Sequence, residues 1–271
     1  NPMINRLIAT LLVYNGKIVQ TKQFKPTNFV GDAFIAVDFF NSWSVDEICI
    51  LEISKDESYL KHFIRLVDKL SERCFIPLSV GGKIKSVTIA RQYLRSGADK
   101  VILNSGIFLK KNLLRKLSTL YGSQFIIVSI DVKKNNKFKS GYQIVINNGS
   151  SPKEIDLLDW IQYVENEGAG ELFVNSIHND GNRKGYDINL LKIITSNTSL
   201  PLIAMGGVNN WSHFEKGISE GKAQSVAAGN IFHYSEHSTK DAKEYLINNG
   251  IKMRPSEFYQ VDSRRKIKYE K

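Results

Sequence analysis

The chain repeats itself at one fixed spacing, and this repeat constrains the fold more than any other feature. Residues 45–51 parallel residues 169–175, which puts Glu47 and Glu171 124 positions apart. Pro77 and Pro201 begin a second pair of similar segments, and 104–108 parallels 228–232, each at the same offset. Three matches in the same order at one offset indicate that the chain consists of two copies of one design.

Each half reads as four strand–helix units. Short runs rich in β-branched residues occur near 6–13, 46–53, 76–80, 99–103, 125–131, 171–177, 201–205 and 224–228, with helical periodicity between them. Eight such units predict a parallel, closed (βα)8 TIM barrel made of two similar half-barrels. An open doubly wound sheet is the alternative, and the two equal halves argue against it. We expect one barrel over residues 3–254 and a basic C-terminal tail over 255–271.

One segment breaks the alternation of strands and helices. Residues 132–149 include Gly141 and the turn-forming run Asn147, Asn148 and Gly149. Such residues are typical of tight connections between antiparallel strands. The sequence therefore predicts a β-hairpin inserted after strand five.

Composition and charge narrow the class of partner. The chain is 42% hydrophobic and carries a net charge of +10, part of which lies in its C-terminal residues. No nucleic-acid motif accompanies this charge, so we expect phosphorylated small molecules rather than nucleic acid as ligands. No apolar run approaches the roughly 18 residues of a membrane span. Cys49 and Cys74 lie in apolar stretches, which favours reduced core thiols of a cytoplasmic protein.

Neither a metal nor another cofactor is expected. His233, Glu236 and His237 stand at helical spacing, but they lack a recognisable third ligand. We interpret them as the start of the last helix.

Two glycine-rich clusters are candidate phosphate sites at the C-terminal ends of the strands. Glycine lets the backbone approach an anion closely, and helix N-termini offer unpaired N–H groups. Either cluster alone is weak evidence because turns also need glycine, but their repetition at one offset predicts a ligand with a phosphate at each end. The first cluster is Gly81, Gly82, Asn104 and Ser105, and the second is Gly206, Gly207, Gly229 and Asn230, which Asp180 and Gly181 could close.

Several short motifs together resemble one known family. They begin at Arg6, Gly97, Gly122, Ser129, Gly168, Asp180 and Gly185. From about residue 6 to about residue 254 the chain resembles HisF, the cyclase subunit of imidazole glycerol phosphate synthase. The resemblance implies a barrel that docks a HisH-like glutaminase on its N-terminal face. It also implies that ammonia passes along the barrel axis to a phosphoribulosyl-formimino-AICAR nucleotide on the C-terminal face.

The resemblance implies two acid–base aspartates, at the ends of strands one and five. Asp131 matches the second, but Leu12 stands where the first is expected. A leucine cannot carry a proton, and a general acid–base group contributes roughly 10²–10⁴-fold to a rate. Gln20 stands where the family usually has lysine, and Lys83 replaces the third glycine of a glycine run. These departures predict weak or absent cyclase activity in an unchanged fold.

The residues that gate the ammonia path in the family are, by the same resemblance, all present. They match Arg6, Glu47, Lys100 and Glu171, at or near the N-terminal ends of four strands. An ion-pair plug that merely closes the barrel is the alternative, since buried charges need partners in either case. Asp99 matches a family contact to the glutaminase, and an ordinary exposed loop carboxylate is its alternative.

A narrower resemblance concerns residues 11–16, 21–26 and 29–32. They are similar to HisF-like proteins associated with sugar amidation in bacterial surface-polysaccharide (lipopolysaccharide) biosynthesis, which carry leucine at the position of Leu12. This implies that the chain and its glutaminase supply ammonia to a separate sugar amidotransferase, which converts an acetamido group to an acetamidino group. Two alternatives remain: a genuine cyclase subunit of histidine biosynthesis, and a non-catalytic scaffold that only activates its glutaminase.

Overall fold

The computed structural model describes residues 4–33, 44–229 and 238–255 of the chain. Its strands are β1 (Arg6–Tyr14), β2 (Lys17–Lys22), β3 (Lys25–Asp32), β4 (Glu47–Glu52), β5 (Leu78–Gly81), β6 (Lys100–Leu103), β7 (Ile126–Lys134), β8 (Tyr142–Ile146), β9 (Ser151–Asp156), β10 (Glu171–Ser176), β11 (Leu202–Met205) and β12 (Ser225–Ala228). Its helices are α1 (Tyr59–Arg73), α2 (Val87–Arg95), α3 (Gly106–Leu109), α4 (Leu113–Tyr121), α5 (Leu157–Asn166), α6 (Ile188–Thr195), α7 (Trp211–Ser219) and α8 (Ser238–Asn248). A short 3₁₀ helix spans Ser123–Phe125.

Eight of these strands close into a parallel barrel. Neighbouring strands pair in the order β1, β4, β5, β6, β7, β10, β11 and β12, and β12 pairs in parallel with β1. The predicted (βα)8 barrel is therefore confirmed, and these strands are the predicted strands one to eight. Because all eight run the same way, their C-terminal ends meet at one face of the molecule.

The helices cover the barrel with a regular apolar face. In α1 the buried residues Phe63, Leu66, Val67 and Leu70 follow the spacing of one helical face. Several helices begin at a side-chain cap that satisfies a free N–H group: Ser86 accepts from Ile89 N at the start of α2. Together with the outward-facing strand residues, these faces form the larger hydrophobic core.

A second, smaller core fills the inside of the barrel. It consists of one residue from each of seven strands, all at most 2% exposed: Ile8, Cys49, Ile102, Ile127, Phe173, Ile203 and Ala227. We call this set the apolar layer. Side chains two residues before and after its members point into the same bore, because a strand alternates its faces. The layer therefore separates an N-terminal end of the bore from a C-terminal end.

Two antiparallel extensions leave the barrel at its C-terminal face. The predicted hairpin after strand five is present: β7 continues past the barrel and pairs with β8, which pairs with β9. A second hairpin, β2–β3, follows β1 and was not predicted. The turn that joins β1 to β2 is Asn15-Gly16, with φ of 51° and 77°, and this Asn-Gly dipeptide is the sequence signal of the extension. The eight residues of β3 are all exposed.

Several predictions fall outside the described residues. They concern Asn230, the segment with His233, Glu236 and His237, and the tail from residue 256 onward. Within the described ranges, each helix is too short or too polar to cross a lipid bilayer. The same ranges hold no group of three or more His, Cys, Asp or Glu side chains arranged to bind a metal ion.

Candidate functional site

Four charged side chains form one network at the N-terminal end of the bore. Arg6 contacts Glu47 at 2.8 Å and also donates to Glu171. Lys100 lies 3.1 Å from Glu171 and 3.6 Å from Glu47. Each carboxylate thus meets both cations, and all four predicted gate residues belong to one charged ring.

The charged ring is more buried on its acidic side than on its basic side. Glu47 and Glu171 are 3% and 6% exposed, whereas about a quarter of the Arg6 and Lys100 side chains is exposed. Burial opposes the charge on Arg6, but Glu171 and Glu47 outweigh it and raise the pKa of the guanidinium. Ser79 Oγ also donates to Glu47. Loss of either cation would leave buried carboxylates partly unpaired, which is costly in a low-dielectric interior.

The outer face around the charged ring carries exposed apolar side chains. Ile4, Phe75 and Phe125 are 51%, 56% and 39% exposed, and each shortly precedes a barrel strand. Asp99 is exposed on the same face, and its Oδ2 accepts a hydrogen bond from Leu78 N at 2.8 Å. These side chains and Asp99 therefore lie on the face of the barrel that surrounds the charged ring.

A cavity of about 830 Å³ occupies the C-terminal end of the bore. It brings together Asp131, Leu12 and members of the first glycine cluster, namely Gly82, Asn104 and Ser105. Its floor includes Ile102 and Phe173 of the apolar layer. The cavity is large enough for a small organic ligand.

Asp131 is a buried carboxyl group in the lining of this cavity. Burial raises the pKa of its carboxyl from 3.8 to about 7, although a hydrogen bond from Asn104 opposes the shift and Asp180 adds to it. Asn104 Nδ2 donates to Asp131 Oδ2 at 2.6 Å. With a pKa near neutrality, Asp131 can give or accept a proton at physiological pH.

Leu12 contributes an apolar wall to the same cavity. It is half-buried, and its register partners are Leu51 on β4 and Val19 on β2. Leu12 therefore supplies no proton-carrying group to pair with the carboxyl of Asp131 on β7.

Gln20, the second departure from the family pattern, is buried and accepts a hydrogen bond from Asn28 at 3.3 Å.

Lys83 has a backbone conformation that favours glycine. Its φ is 61°, in the left-handed region that favours glycine. Its half-buried side chain lines the cavity, and its Nζ lies 3.5 Å from Lys55 O. A lysine in this conformation costs backbone strain that a glycine would not.

The second glycine cluster surrounds a recess of only about 20 Å³. Gly206 and Gly207 have φ of 100° and 87°, and a Cβ on either would collide, with Asn175 Oδ1 and Gly185 O respectively. Asp180 and Gly181 also line this recess. These glycines are required by close packing, whether or not an anion binds there.

The carboxylate of Asp180 is engaged by the β2–β3 hairpin. Its Oδ2 accepts from Thr21 Oγ1 at 2.9 Å and from Phe24 N at 2.8 Å. Burial raises the pKa of this carboxyl, while the bonds from Phe24 and Thr21 oppose the shift. The structure therefore gives Asp180 a role that the sequence did not predict: it fastens the hairpin turn at the mouth of the bore.

The β8–β9 hairpin is fastened to the first glycine cluster. Ser105 Oγ accepts from Asn147 N at 3.0 Å, and Asn148 Nδ2 donates to Ile53 O at 3.2 Å. A Cβ on Gly149 would meet Phe24, so the two hairpin turns lie against each other. Sequence reasoning missed Phe24 and the two asparagines as cavity residues, because no local pattern shows that two distant turns meet.

Comparison with known proteins agrees with this geometry. A family model described as "Histidine biosynthesis protein" matches residues 6–238. A protein of Vibrio vulnificus (strain YJ016), provisionally named imidazole glycerol phosphate synthase subunit hisF2, is 35% identical over 265 residues, which is 98% of this chain and 93% of the relative. Imidazole glycerol phosphate synthase subunit HisF of Chloroherpeton thalassium (strain ATCC 35110 / GB-78) is 37% identical over 252 residues, 93% and 99% of the two chains.

Proposed function

The chain belongs to the HisF family of imidazole glycerol phosphate synthase subunits, and from this premise we propose that it relays ammonia through its barrel. In this proposal a HisH-like glutaminase binds the N-terminal face and releases ammonia from glutamine. The ammonia passes the charged ring and the apolar layer and reaches the C-terminal cavity. The observation that carries the proposal is the completeness of the charged ring in a chain with Leu12 at the end of β1.

The charged ring supports the relay proposal because a cyclase reaction in the C-terminal cavity does not itself use these four side chains. Arg6 and Lys100 hold two buried carboxylates across the opening of the bore. A chain that only bound a ligand in its cavity could close its barrel bottom with apolar side chains, which is often no less stable than a buried ion pair. The exposed Ile4, Phe75 and Phe125 beside the ring give the glutaminase an apolar contact surface, and Asp99 a polar one.

The apolar layer supports passage of neutral ammonia rather than ammonium. Its members are at most 2% exposed to solvent. Moving a cation through such surroundings is expensive, whereas a small neutral amine loses far less solvation energy. The barrel therefore suits a molecule that is produced neutral and must not equilibrate with water on the way.

We further propose that the ammonia is used by a separate enzyme, a sugar amidotransferase that converts an acetamido group to an acetamidino group. Support comes from the mouth of the bore, where Leu12, Gln20 and Lys83 depart from the family's cyclase pattern. Leu12 supplies no acid–base group, so a cyclase reaction in this cavity would lack one of the two aspartates that the family resemblance implies. This finer assignment rests on the narrower resemblance together with these departures.

A second candidate function is retained because one observation favours it. Asp131 has a pKa of about 7 and stands in a cavity of about 830 Å³, which suits acid–base work on a bound ligand. On this account the chain is a working cyclase subunit of histidine biosynthesis. The two glycine clusters would then bind the phosphates of its ribonucleotide, although Asp180 would have to release the hairpin turn or leave its carboxylate outside the phosphate site.

Two assays separate these functions. The purified chain is first given ammonium salts and the phosphoribulosyl-formimino-AICAR nucleotide; the relay proposal expects at most trace turnover, and efficient turnover would establish the cyclase. The chain is then combined with its glutaminase, the amidotransferase, the acetamido sugar and ¹⁵N-amide glutamine. Relay predicts label in the sugar product with little labelled ammonia in solution. A scaffold that only activates the glutaminase would release the label into solution.

A further inference from the structure

Buried polar atoms without a hydrogen-bond partner are rare in folded proteins, and here they concentrate in the bore. Among the described residues, four buried side-chain atoms lack a partner: Thr10 Oγ1, Glu52 Oε2, Asn175 Oδ1 and Ser225 Oγ. Leaving such a group unsatisfied is costly, so each one calls for an explanation. Three of the four belong to inward-facing positions of barrel strands.

The inward direction follows from strand alternation. Thr10 stands two residues after Ile8, Asn175 two residues after Phe173, and Ser225 two residues before Ala227. The three reference residues are members of the apolar layer, so their neighbours at this spacing share the bore. Glu52 differs, because it stands at the end of β4 one residue after the inward Leu51 and accepts from Ser54 N at 2.6 Å.

The three atoms flank the apolar layer on both sides. Ser225 is the register partner of Arg6, which puts its hydroxyl at the level of the charged ring. Thr10 and Asn175 lie above the layer, and both line the C-terminal cavity. The residues Ser225, Thr10 and Asn175 are 0%, 2% and 9% exposed, so bulk water scarcely reaches them.

We propose that Ser225 below the apolar layer, and Thr10 with Asn175 above it, are binding stations for ammonia in transit through the barrel. This inference rests on the proposed relay function and names the residues that hold the relayed molecule. Ammonia donates N–H groups to hydroxyl and amide oxygens and accepts one hydrogen bond from a hydroxyl, so it matches these groups. Each station offers ammonia a buried oxygen that has no hydrogen-bond partner among the described residues.

The upper station is tested first without an acceptor enzyme, using methylamine as the probe because its carbon distinguishes it from water. Crystals are soaked in methylammonium chloride at about pH 9, where a small neutral fraction exists, and in matched sodium chloride. We expect two-atom density with its nitrogen within hydrogen-bond distance of Thr10 Oγ1 or Asn175 Oδ1, in the methylammonium soak alone. The same single-atom density in both soaks would mean an ordered water and would overturn the upper station.

The transfer assay with ¹⁵N-amide glutamine tests all three residues. Thr10→Val, Asn175→Leu and Ser225→Ala remove the polar atoms at nearly constant volume. Each should lower the ratio of labelled product to labelled free ammonia about threefold to tenfold, with the glutaminase rate unchanged. Thr10→Ser, which keeps the hydroxyl, should restore the wild-type ratio. Thr195→Val, whose hydroxyl donates to Leu191 O outside the bore, is the matched control.

The outcomes separate this inference from the function on which it rests. A wild-type complex that passes no label to product contradicts relay itself. Wild-type transfer that survives in every folded variant leaves relay intact and overturns the stations. Because the altered atoms have no hydrogen-bond partner, the variants should have melting temperatures no lower than that of wild type. If Thr10→Val does not fold, Asn175→Leu and Ser225→Ala test the proposal in its place.

Discussion

At the N-terminal end of the bore, four charged side chains from four strands pair with one another, whereas at the C-terminal end Asp131 shares its cavity with Leu12. The N-terminal set is complete and each member has two partners. At the C-terminal end, Asp131 accepts a hydrogen bond from Asn104, and Leu12 stands at the position of the other expected aspartate. In the relay that we propose, this difference means that the residues for admitting ammonia are all present, whereas one of the two aspartates for the cyclase reaction is absent.

The largest effect on stability is expected from Arg6→Met. The substitution removes the cation that bonds to Glu47 and Glu171, two nearly buried carboxylates. Breaking a buried pair from one side costs about 3–5 kcal/mol, and the remaining cation, Lys100, keeps the cost toward the lower limit. Urea denaturation measures the change in unfolding free energy.

A matched control exists on the surface. Arg115 pairs with Glu167, but 60% of its side chain is exposed. Arg115→Met should therefore cost at most about 1 kcal/mol. Equal losses in the two variants would show that the charged ring is no better buried than a surface pair.

The second prediction concerns how Asp131 makes the unfolding free energy depend on pH. Its folded pKa of about 7 exceeds the value of 3.8 for the free group because burial disfavours the charged form. Between about pH 4 and pH 7 the unfolded chain releases this proton while the folded chain retains it, so stability falls as pH rises. The shift corresponds to about 4 kcal/mol lost across that window.

Asp131→Asn isolates this contribution, because other buried carboxyls titrate alike in both proteins. The free energy of unfolding of wild type minus that of the variant should fall as pH rises from about 4 to about 8. Chemical denaturation at a series of pH values measures it. A difference that stays constant with pH would show that Asp131 is already ionised in the folded protein and unsuited to general acid work.

Leu12→Asp should destabilise the fold without restoring a cyclase. A carboxylate there stands among Leu51 and Val19 and should cost about 1–2 kcal/mol of unfolding free energy. Groups that act together in catalysis are not additive, and Gln20 and Lys83 still depart from the family pattern. Thermal melting and the ammonia-dependent cyclase assay check both parts. Turnover comparable to that of a cyclase from the family would show that Leu12 alone separates the two functions.

The smallest expected effect is a gain. Lys83 has a φ of 61°, and Lys83→Gly should relieve strain and raise the unfolding free energy by about 0.5–1 kcal/mol. The control is Lys85→Gly, at a position with no positive φ. This substitution should lower the unfolding free energy, because glycine makes the unfolded chain more flexible and the ion pair with Glu57 is lost. A destabilised Lys83→Gly would mean that contacts of the lysine side chain outweigh its backbone strain.

The fold could be predicted because its signals are local and repeated. Each barrel strand is a short β-branched run, and the offset between Glu47 and Glu171 relates the two halves. The asparagines and glycines after β7 correctly predicted the hairpin there. The Asn15-Gly16 turn, which joins β1 to β2, is an equally local signal for the extension that contains β2 and β3.

The site was less predictable because its properties arise from tertiary contacts. The charged ring could be named by resemblance and the first glycine cluster from the repeated glycine pattern. The raised pKa of Asp131, however, depends on burial that no local pattern reports. The engagement of Asp180 with Phe24 joins residues 156 positions apart. The unpartnered atoms of Thr10 and Asn175 could be placed on the inner face by alternation, yet their lack of a partner is visible only in the folded chain.

The most direct test of relay is isotope transfer in Lys100→Met. The chain is combined with its glutaminase, the sugar amidotransferase, the acetamido sugar and ¹⁵N-amide glutamine, and label is counted in the amidine product and in free ammonia. Lys100 pairs with Glu171 at 3.1 Å, so its removal leaves carboxylates partly unpaired and open to water. We predict that the variant still binds the glutaminase but passes a smaller fraction of label to product, with more labelled ammonia in solution. Lys240→Met, at an exposed surface pair, should transfer as wild type does. If Lys100→Met transfers label as completely as wild type, with no added leak, the charged ring is a structural plug and the relay account is wrong.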